Sequence, residues 1–250
     1  NTKKLLTKNV NNGNIYQIQS NRFCSKSKFP KKEVNMLSII KSMSLQGLEG
    51  YLVDVQVDVA AGMPNWGVVG LPDISVKEAK ERVRTAIKNS GYEFPSRRIV
   101  INLAPADTRK EGSFYDLPIA IGILIDFGEI KKQSMAETVV IGELSLDGHI
   151  NHVNGILPMC IEAKKLGIKK VILPKKDAEE AAIVDGLQVI GVESLQQVVA
   201  YLNQKEDIES TKTNIKNLFY QKQKYPLDFA EVKGQENIKR ALEIAAARFA

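Results

Sequence analysis

Cysteine, histidine and long apolar runs are scarce in this 250-residue sequence. Its two cysteines, Cys24 and Cys160, lie far apart and without motif spacing. A disulfide framework is therefore not expected, and reduced thiols in a cytoplasmic protein are. A chain of this length buries a core that needs no disulfide or metal staple. The two histidines, His149 and His152, form an H-x-x-H pair. On a helix that spacing offers two imidazoles to a metal. Here the pair follows a hairpin turn and no third ligand accompanies it, so a solvated pair and no metal site are expected. No apolar stretch reaches the roughly 18 residues of a membrane span. The first 35 residues have neither the apolar segment of a secretory signal nor the amphipathicity of a transit peptide. No G-x-x-x-x-G-K-S/T run and no G-x-G-x-x-G run occurs. These residues therefore cannot complete a phosphate-cradling loop of either kind.

Charge is present but unevenly placed. The formal net charge of +6 suggests a nucleic-acid partner. Yet residues 1–35 hold eight bases (Lys3, Lys4, Lys8, Arg22, Lys26, Lys28, Lys31 and Lys32) against one acid, Glu33. The other 215 residues hold 27 bases and 28 acids, a net of −1. The basicity belongs to an Asn-, Ser- and Lys-rich leader, expected to be disordered. Met36 follows it, opens the patterned part of the chain and is a candidate natural start.

From there the pattern is that of one α/β or α+β domain over residues 36–203. Tyr51–Ala60 alternates Tyr51, Val53, Val55, Val57 and Val59 with Asp54, Gln56 and Asp58, the period of a half-buried strand. Ser44–Glu49 is expected to pair with it across a turn at Glu49-Gly50. A short strand, Gly67–Val69, follows. Ser75 and Glu78 read as a capping box opening a helix with Val76, Ala79, Val83, Ala86 and Ile87 on one face, stopped at Gly91. Arg98–Leu103 is a β-branched strand, and Leu117–Phe127, apolar almost all round, is a buried helix ended by Gly128. Thr138–Leu144 reads as one strand before an Asp147-Gly148 hairpin turn. A helix with Pro158 just inside it runs to Leu166-Gly167. Strand Lys170–Leu173, short helix Asp177–Ile183, strand Gln188–Val192 and helix Leu195–Leu202 complete the set. Gln204–Tyr225 is polar and aperiodic, the composition of a linker. Asp228–Glu236 then leads into a helix, Asn237–Phe249, as at the start of a second domain.

Two clusters are candidate chemistry. Asp107, Lys110, Glu111 and Asp116 gather in and after one loop, where carboxylates beside a lysine can hold a catalytic site or simply furnish an exposed loop. Ser113 with Lys164 or Lys165 is a candidate serine–lysine dyad, which works only if the lysine is desolvated and within hydrogen-bond reach. Their place near a helix C-terminus suits exposed lysines better.

The segments Val69-Gly-Leu-Pro-Asp73, Val76-Lys-Glu-Ala-Lys-Glu-Arg-Val83, Asn89-Ser-Gly-Tyr-Glu-Phe-Pro95, Ile101-Asn-Leu-Ala-Pro-Ala-Asp107, Lys110-Glu-Gly112, Tyr115-Asp-Leu-Pro-Ile-Ala120 and Gly142-Glu-Leu144 closely resemble the N-terminal domain of bacterial Mg-chelatase-like AAA+ ATPases, the ComM/YifB family. The resemblance runs from about Leu45 to Ala247. It implies a two-layer fold similar to the Lon protease domain, also seen in the C-terminal domain of RadA and in GHMP kinases. In Lon-type proteases the serine lies in a G-P-S-A-G motif opening the buried helix, and here Tyr115 stands at that place. The catalytic lysine follows a G-G-L motif, and Leu157 stands near its place. The resemblance thus implies a non-proteolytic relative. It places Asp228–Glu236 just ahead of a Walker A loop, so that residues 226–250 would open an AAA+ module cut short before that loop. Val232, Gly234 and Gln235 would then lie at the nucleotide edge.

The same resemblance implies ATP and Mg²⁺ as cofactors of the full-length protein, a homo-hexameric ring, and DNA as partner, in an ATP-driven branch-migration helicase of natural transformation. This domain would engage DNA or partners. Arg82, Arg84, Lys88, Arg97, Arg98, Arg109 and Lys110 are the candidate nucleic-acid contacts. They stand against a balanced body with no broad basic field. Two rivals remain: an ATP-dependent Lon-like peptidase with a displaced nucleophile, and a magnesium-chelatase-type subunit, which the Lon-like domain argues against. A Walker A loop within about 20 residues beyond Ala250 would decide for an AAA+ parent.

Overall fold

The computed structural model describes residues 37–131, 135–213 and 231–248. The basic leader and most of the segment expected as a linker lie outside the described residues. The fold is α/β, built on a mixed seven-stranded sheet whose order across is β3 (Asn65–Val69), β4 (Arg98–Ala104), β2 (Glu49–Ala60), β1 (Ser38–Gln46), β5 (Thr138–Val140), β8 (Lys170–Pro174) and β9 (Gln188–Val192).

β1 (Ser38–Gln46) and β2 (Glu49–Ala60) form its long antiparallel hairpin. The turn is Gly47-Leu48, two residues earlier than expected, and β1 is correspondingly longer. Gly50 lies inside β2 because a helix packs directly on it. A Cβ there would stand 3.0 Å from the Glu162 side chain, so close approach, not turn chemistry, selects glycine. β4 (Arg98–Ala104) pairs antiparallel to β2, and β3 (Asn65–Val69) pairs parallel to β4 at the sheet's edge.

The alternating side of β2 buries Val53, Val55, Val57 and Val59 against α1 (Ile74–Asn89) and α2 (Asp116–Phe127). α1 buries the five apolar residues its periodicity selects. Its cap differs from expectation. Asp73, not Ser75, is the N-cap, and its carboxylate accepts from the Val76 N–H at 2.8 Å. A carboxylate at that position satisfies an orphan donor and favours the helix dipole. α2 is buried over Asp116–Leu124, as an all-round apolar helix must be.

The expected strand Thr138–Leu144 is two strands. β5 (Thr138–Val140) stays in the large sheet. The chain then leaves it, because Gly142 exchanges backbone hydrogen bonds with the start of α2: its N–H donates to Phe114 O, and Leu117 N–H donates to its O, both at 3.0 Å. β6 (Glu143–Leu144) instead pairs with β7 (Ile150–Asn151) around the Asp147-Gly148 turn. This detour sets Glu143 beside the N-terminus of α2.

α3 (Ile156–Lys165), β8 (Lys170–Pro174), α4 (Ala178–Ala181), β9 (Gln188–Val192) and α5 (Leu195–Leu202) complete the body. α3 and α4 cover the second face of β5, β8 and β9, while α5 joins α1 and α2 on the first. The β5-β8-β9 half is therefore three layers deep, and its strands read as continuous apolar runs. α3 also reaches over the start of β2 at Gly50, so only β4 and β3 keep the two layers expected. Past α5 the chain stays on the body. Ile208 packs on the core, Thr211 N–H donates to Val189 O at 2.9 Å, and Val189 N–H donates to Ser210 Oγ at 3.1 Å. The edge at β9 is thus covered. A last helix, α6 (Glu236–Arg248), exposes Ile238, Leu242 and Ile244.

Candidate functional site

The loop between β4 and α2 holds the first candidate cluster, and folding separates its members. Lys110 is wholly buried. Its ammonium donates to Thr108 O at 2.7 Å, to Thr108 Oγ1 at 3.0 Å and to Pro105 O. Burial lowers its pKa. Its backbone pairs with Leu71 and Asp73, and so holds Leu71 at φ +54. Neighbouring Gly70, at φ +96, lies so close to β4 that a Cβ would stand 2.2 Å from Leu103 O. Lys110 is thus an internal tie. Asp107 and Glu111 are exposed, and Glu111 meets Arg109 at 3.3 Å.

Asp116 is buried at the first turn of α2 and accepts both arms of Arg82: Nε to Oδ2 at 2.7 Å and Nη2 to Oδ1 at 3.1 Å. The same Nη2 donates to Ser75 O. Burial pushes the Asp116 carboxyl up to about 6 against the opposing pull of Arg82. The Arg82–Asp116 pair ties α1 to α2.

Next to it runs a polar chain. Ser113 Oγ donates to Glu143 Oε2, Asn151 Nδ2 donates to Glu143 Oε1 at 3.1 Å, and Ser145 Oγ donates to Asn151 Oδ1 at 3.0 Å. The lysines expected to partner Ser113 are elsewhere. Lys164 donates to Asp185 O and Lys165 to Glu162 at 2.8 Å. No serine–lysine dyad forms. Tyr115 is fully buried, with its phenol pKa raised by burial. Leu157 is half-buried and gives only its N–H, to Glu180 Oε1 at 3.1 Å. Neither position offers a nucleophile or a base.

His149 and His152 turn to different carboxylates, Asp147 at 3.1 Å and Asp177 respectively. Among the described residues no group of three His, Cys, Asp or Glu side chains could hold a metal. Cys160 lies in the core, its thiol pushed up to about 12 by burial, and is inert.

The second candidate is a groove beside the β3 edge. Lys80 and Arg84, one turn apart on α1, form one wall. Phe94, Pro95, Ser96 and Arg97 come from the connection into β4, and Asn65 and Trp66 from β3. They enclose about 200 Å³. The Trp66 and Phe94 rings lie nearly parallel, centroids 6.3 Å apart and planes at 25°. The Arg84 guanidinium carbon stands 6.0 Å from the Phe94 centroid, at cation–π range. Lys80, Arg84 and Arg97 are exposed. Among the described residues none of the three has an ion-pair partner.

The candidate nucleic-acid residues therefore separate. Arg84 and Arg97 meet in the groove. Arg98 is exposed at the start of β4, paired in register with Asn65, and Lys88 is exposed one turn beyond Arg84 on α1. Arg109 is exposed on a different cavity, beside Lys77 and Leu71. Arg82 and Lys110 are engaged internally, by Asp116 and by oxygens of Pro105 and Thr108. Sequence reading passed over Lys80, Trp66 and Phe94. The i, i+4 spacing of Lys80 and Arg84 was the one signal that could have joined any of them.

A larger cavity of about 500 Å³ lies between β5, β8 and α5. Its lining mixes Lys170 and Lys205 with Glu206 and Asp207, so it selects no sign of charge.

Val232, Gly234 and Gln235 lie in the exposed turn ahead of α6, with φ +74 at Gly234 and +57 at Gln235. Glu236 occupies the first turn of that helix and puts a carboxylate where a phosphate would sit.

Comparison with known proteins adds four findings. A family model described as subunit ChlI of Mg-chelatase matches residues 55–177. The uncharacterized protein YifB of Escherichia coli (strain K12) is 40% identical over 212 residues, 84% of this chain and 41% of that protein. Competence protein ComM of Haemophilus influenzae is 37% identical over 215 residues, 84% of this chain and 42% of that protein. Lon protease 2 of Bacillus subtilis is 27% identical over 184 residues, 65% of this chain and 32% of that protein. The chain spans about two fifths of the length of YifB and ComM.

Proposed function

The chain belongs to the YifB/ComM family and carries its Mg-chelatase ChlI-like domain, with similarity to Lon, and from that premise we propose that it is the DNA-engaging N-terminal part of an AAA+ ATPase that drives branch migration in natural transformation. The motor, with ATP, Mg²⁺ and a homo-hexameric ring in the cytoplasm, belongs to the same proposal. A relative bearing the name competence protein supports the biological setting.

One observation carries the DNA-engaging role: the unpaired cations Lys80, Arg84 and Arg97 around the Trp66–Phe94 groove. Cations without carboxylate partners bind phosphates and release their counterions, which is the sequence-independent part of nucleic-acid binding. The balanced charge of the body does not oppose this, because the field that matters is local. The Lon-like peptidase reading is weaker, since Ser113 bonds a glutamate and both lysines lie elsewhere.

Fluorescence anisotropy of the 250-residue chain with labelled DNA tests the reading. Binding that weakens steeply with salt, and at least tenfold in Arg84→Glu/Arg97→Glu, is expected. DNA binding that the double substitution leaves intact would place the contact elsewhere. No binding at low salt would overturn the DNA role.

A further inference from the structure

We infer that the β3-edge groove is a slot for an unpaired base, so that this domain holds single-stranded nucleic acid in preference to duplex. The inference rests on the DNA-engaging reading and goes beyond it by naming the form of the ligand and the residues that select it.

Its ground is the composition and size of the cavity. Phosphate contact alone needs cations on an open surface, and Lys80, Arg84 and Arg97 supply them. It needs no aromatic ring. Here two nearly parallel rings, Trp66 and Phe94, line the cavity those cations surround. Aromatic faces bind bases by stacking, whatever the sequence, and the combination of stacking rings with a basic groove marks single-strand sites. Duplex bases are already stacked on one another and turn only edges and phosphates outward. Rings recessed in about 200 Å³ cannot reach them unless a base leaves the stack, which costs a few kcal/mol. An unpaired base enters without that cost.

The positions of the cations fit the same occupant. Lys80 and Arg84 line one wall from α1, and Arg97 comes from the connection into β4. A base seated on Trp66 and Phe94 would carry its flanking phosphates past both. Arg84, already against Phe94, would meet the base face as well as a phosphate. Glu81 and Glu93, next in sequence to Lys80 and Phe94, do not line the cavity.

The chain provides its own probe, because Trp66 is its only tryptophan. Titration with an oligothymidylate of about 12 nucleotides should quench the Trp66 emission. Affinity for it should exceed that for a hairpin duplex of equal charge by about tenfold or more. Phe94→Leu keeps apolar bulk but removes the π face. It should lower single-strand affinity about tenfold, more than it lowers duplex affinity, and retain a cooperative thermal transition. DNA binding without quenching, or equal affinity for both forms, would overturn the base slot and leave the DNA role standing. Equal quenching by polyglutamate would show a general polyanion groove and overturn the slot too. Absence of any DNA binding would overturn slot and role together.

Discussion

Asp116 and Lys110 are the two buried charges whose surroundings most constrain this domain. Asp116 is bidentate with Arg82, yet burial outweighs the pairing and holds its carboxyl at about 6. An unfolded aspartate releases its proton near 3.9. Between those values the folded state binds the extra proton, so this group's contribution to stability falls as pH rises through the window. Wild type should therefore gain on Asp116→Asn, by ~2 kcal/mol, as pH drops from 7 to 4. Urea unfolding of both proteins at the two pH values checks it. A gap that instead widens toward high pH would mean that Arg82 dominates. Lys110 is a different case, a buried amine satisfied by oxygens of Pro105 and Thr108. Lys110→Met leaves those acceptors buried without a donor and should cost about 3 kcal/mol in urea unfolding. Arg109→Ala, one residue earlier on the exposed side, should cost less than about 0.5 kcal/mol.

Helix α1 carries both the tie to α2 and one wall of the groove, on different sides. Arg82 and Arg84 are two residues apart, about 200° round the helix. One faces Asp116 and the other Phe94. The way the helix begins fixes both. Asp73 caps it, and its second carboxylate oxygen reaches Gly112 N–H at 3.4 Å. Asp73→Ala should cost about 1–2 kcal/mol in thermal or urea unfolding, whereas Ser75→Ala should cost under about 0.5 kcal/mol. The reverse order would restore Ser75 as the cap. The spacing Ser75–Glu78 does satisfy the capping-box pattern. The backbone decides which candidate lies at the boundary, and Asp73 wins because its backbone is extended while Ile74 is already helical. Periodicity placed the buried face of α1, the all-round apolar run placed α2 to within one residue, and Asp-Gly turn chemistry placed the Asp147-Gly148 turn. Periodicity missed the break after Val140, because that break comes from hydrogen bonds between Gly142 and the remote Phe114 and Leu117.

Over the whole molecule, charge is a matter of location. The excess of bases sits in residues 1–35, and the rest is close to neutral. Binding by the groove should therefore show the salt dependence of a few contacts and not of a basic field. Three phosphates neutralised on a single strand give a slope of log K against log salt near −2. Anisotropy titrations of a 36–250 chain between about 50 and 200 mM salt should find that value, and Arg97→Gln should bring it nearer −1. A slope indistinguishable from zero would remove the groove's phosphates from consideration.

The sequence by itself determined where most elements lie, which faces they bury, that no phosphate loop of either recognised pattern is present, and that the net charge belongs to the leader. These follow from neighbours a few residues apart, within reach of hydrogen bonds along a helix or alternation along a strand. Only the tertiary structure decided which of seven candidate cations are free to meet a ligand. Arg82 is taken by a carboxylate 34 residues away, and Lys110 by carbonyls in a loop closed over it. Trp66 and Phe94 become one platform only because β3 is brought beside the connection into β4. Desolvation and pairing depend on what surrounds a side chain in space, and for Arg82, Trp66 and Phe94 those surroundings come from residues distant in the chain.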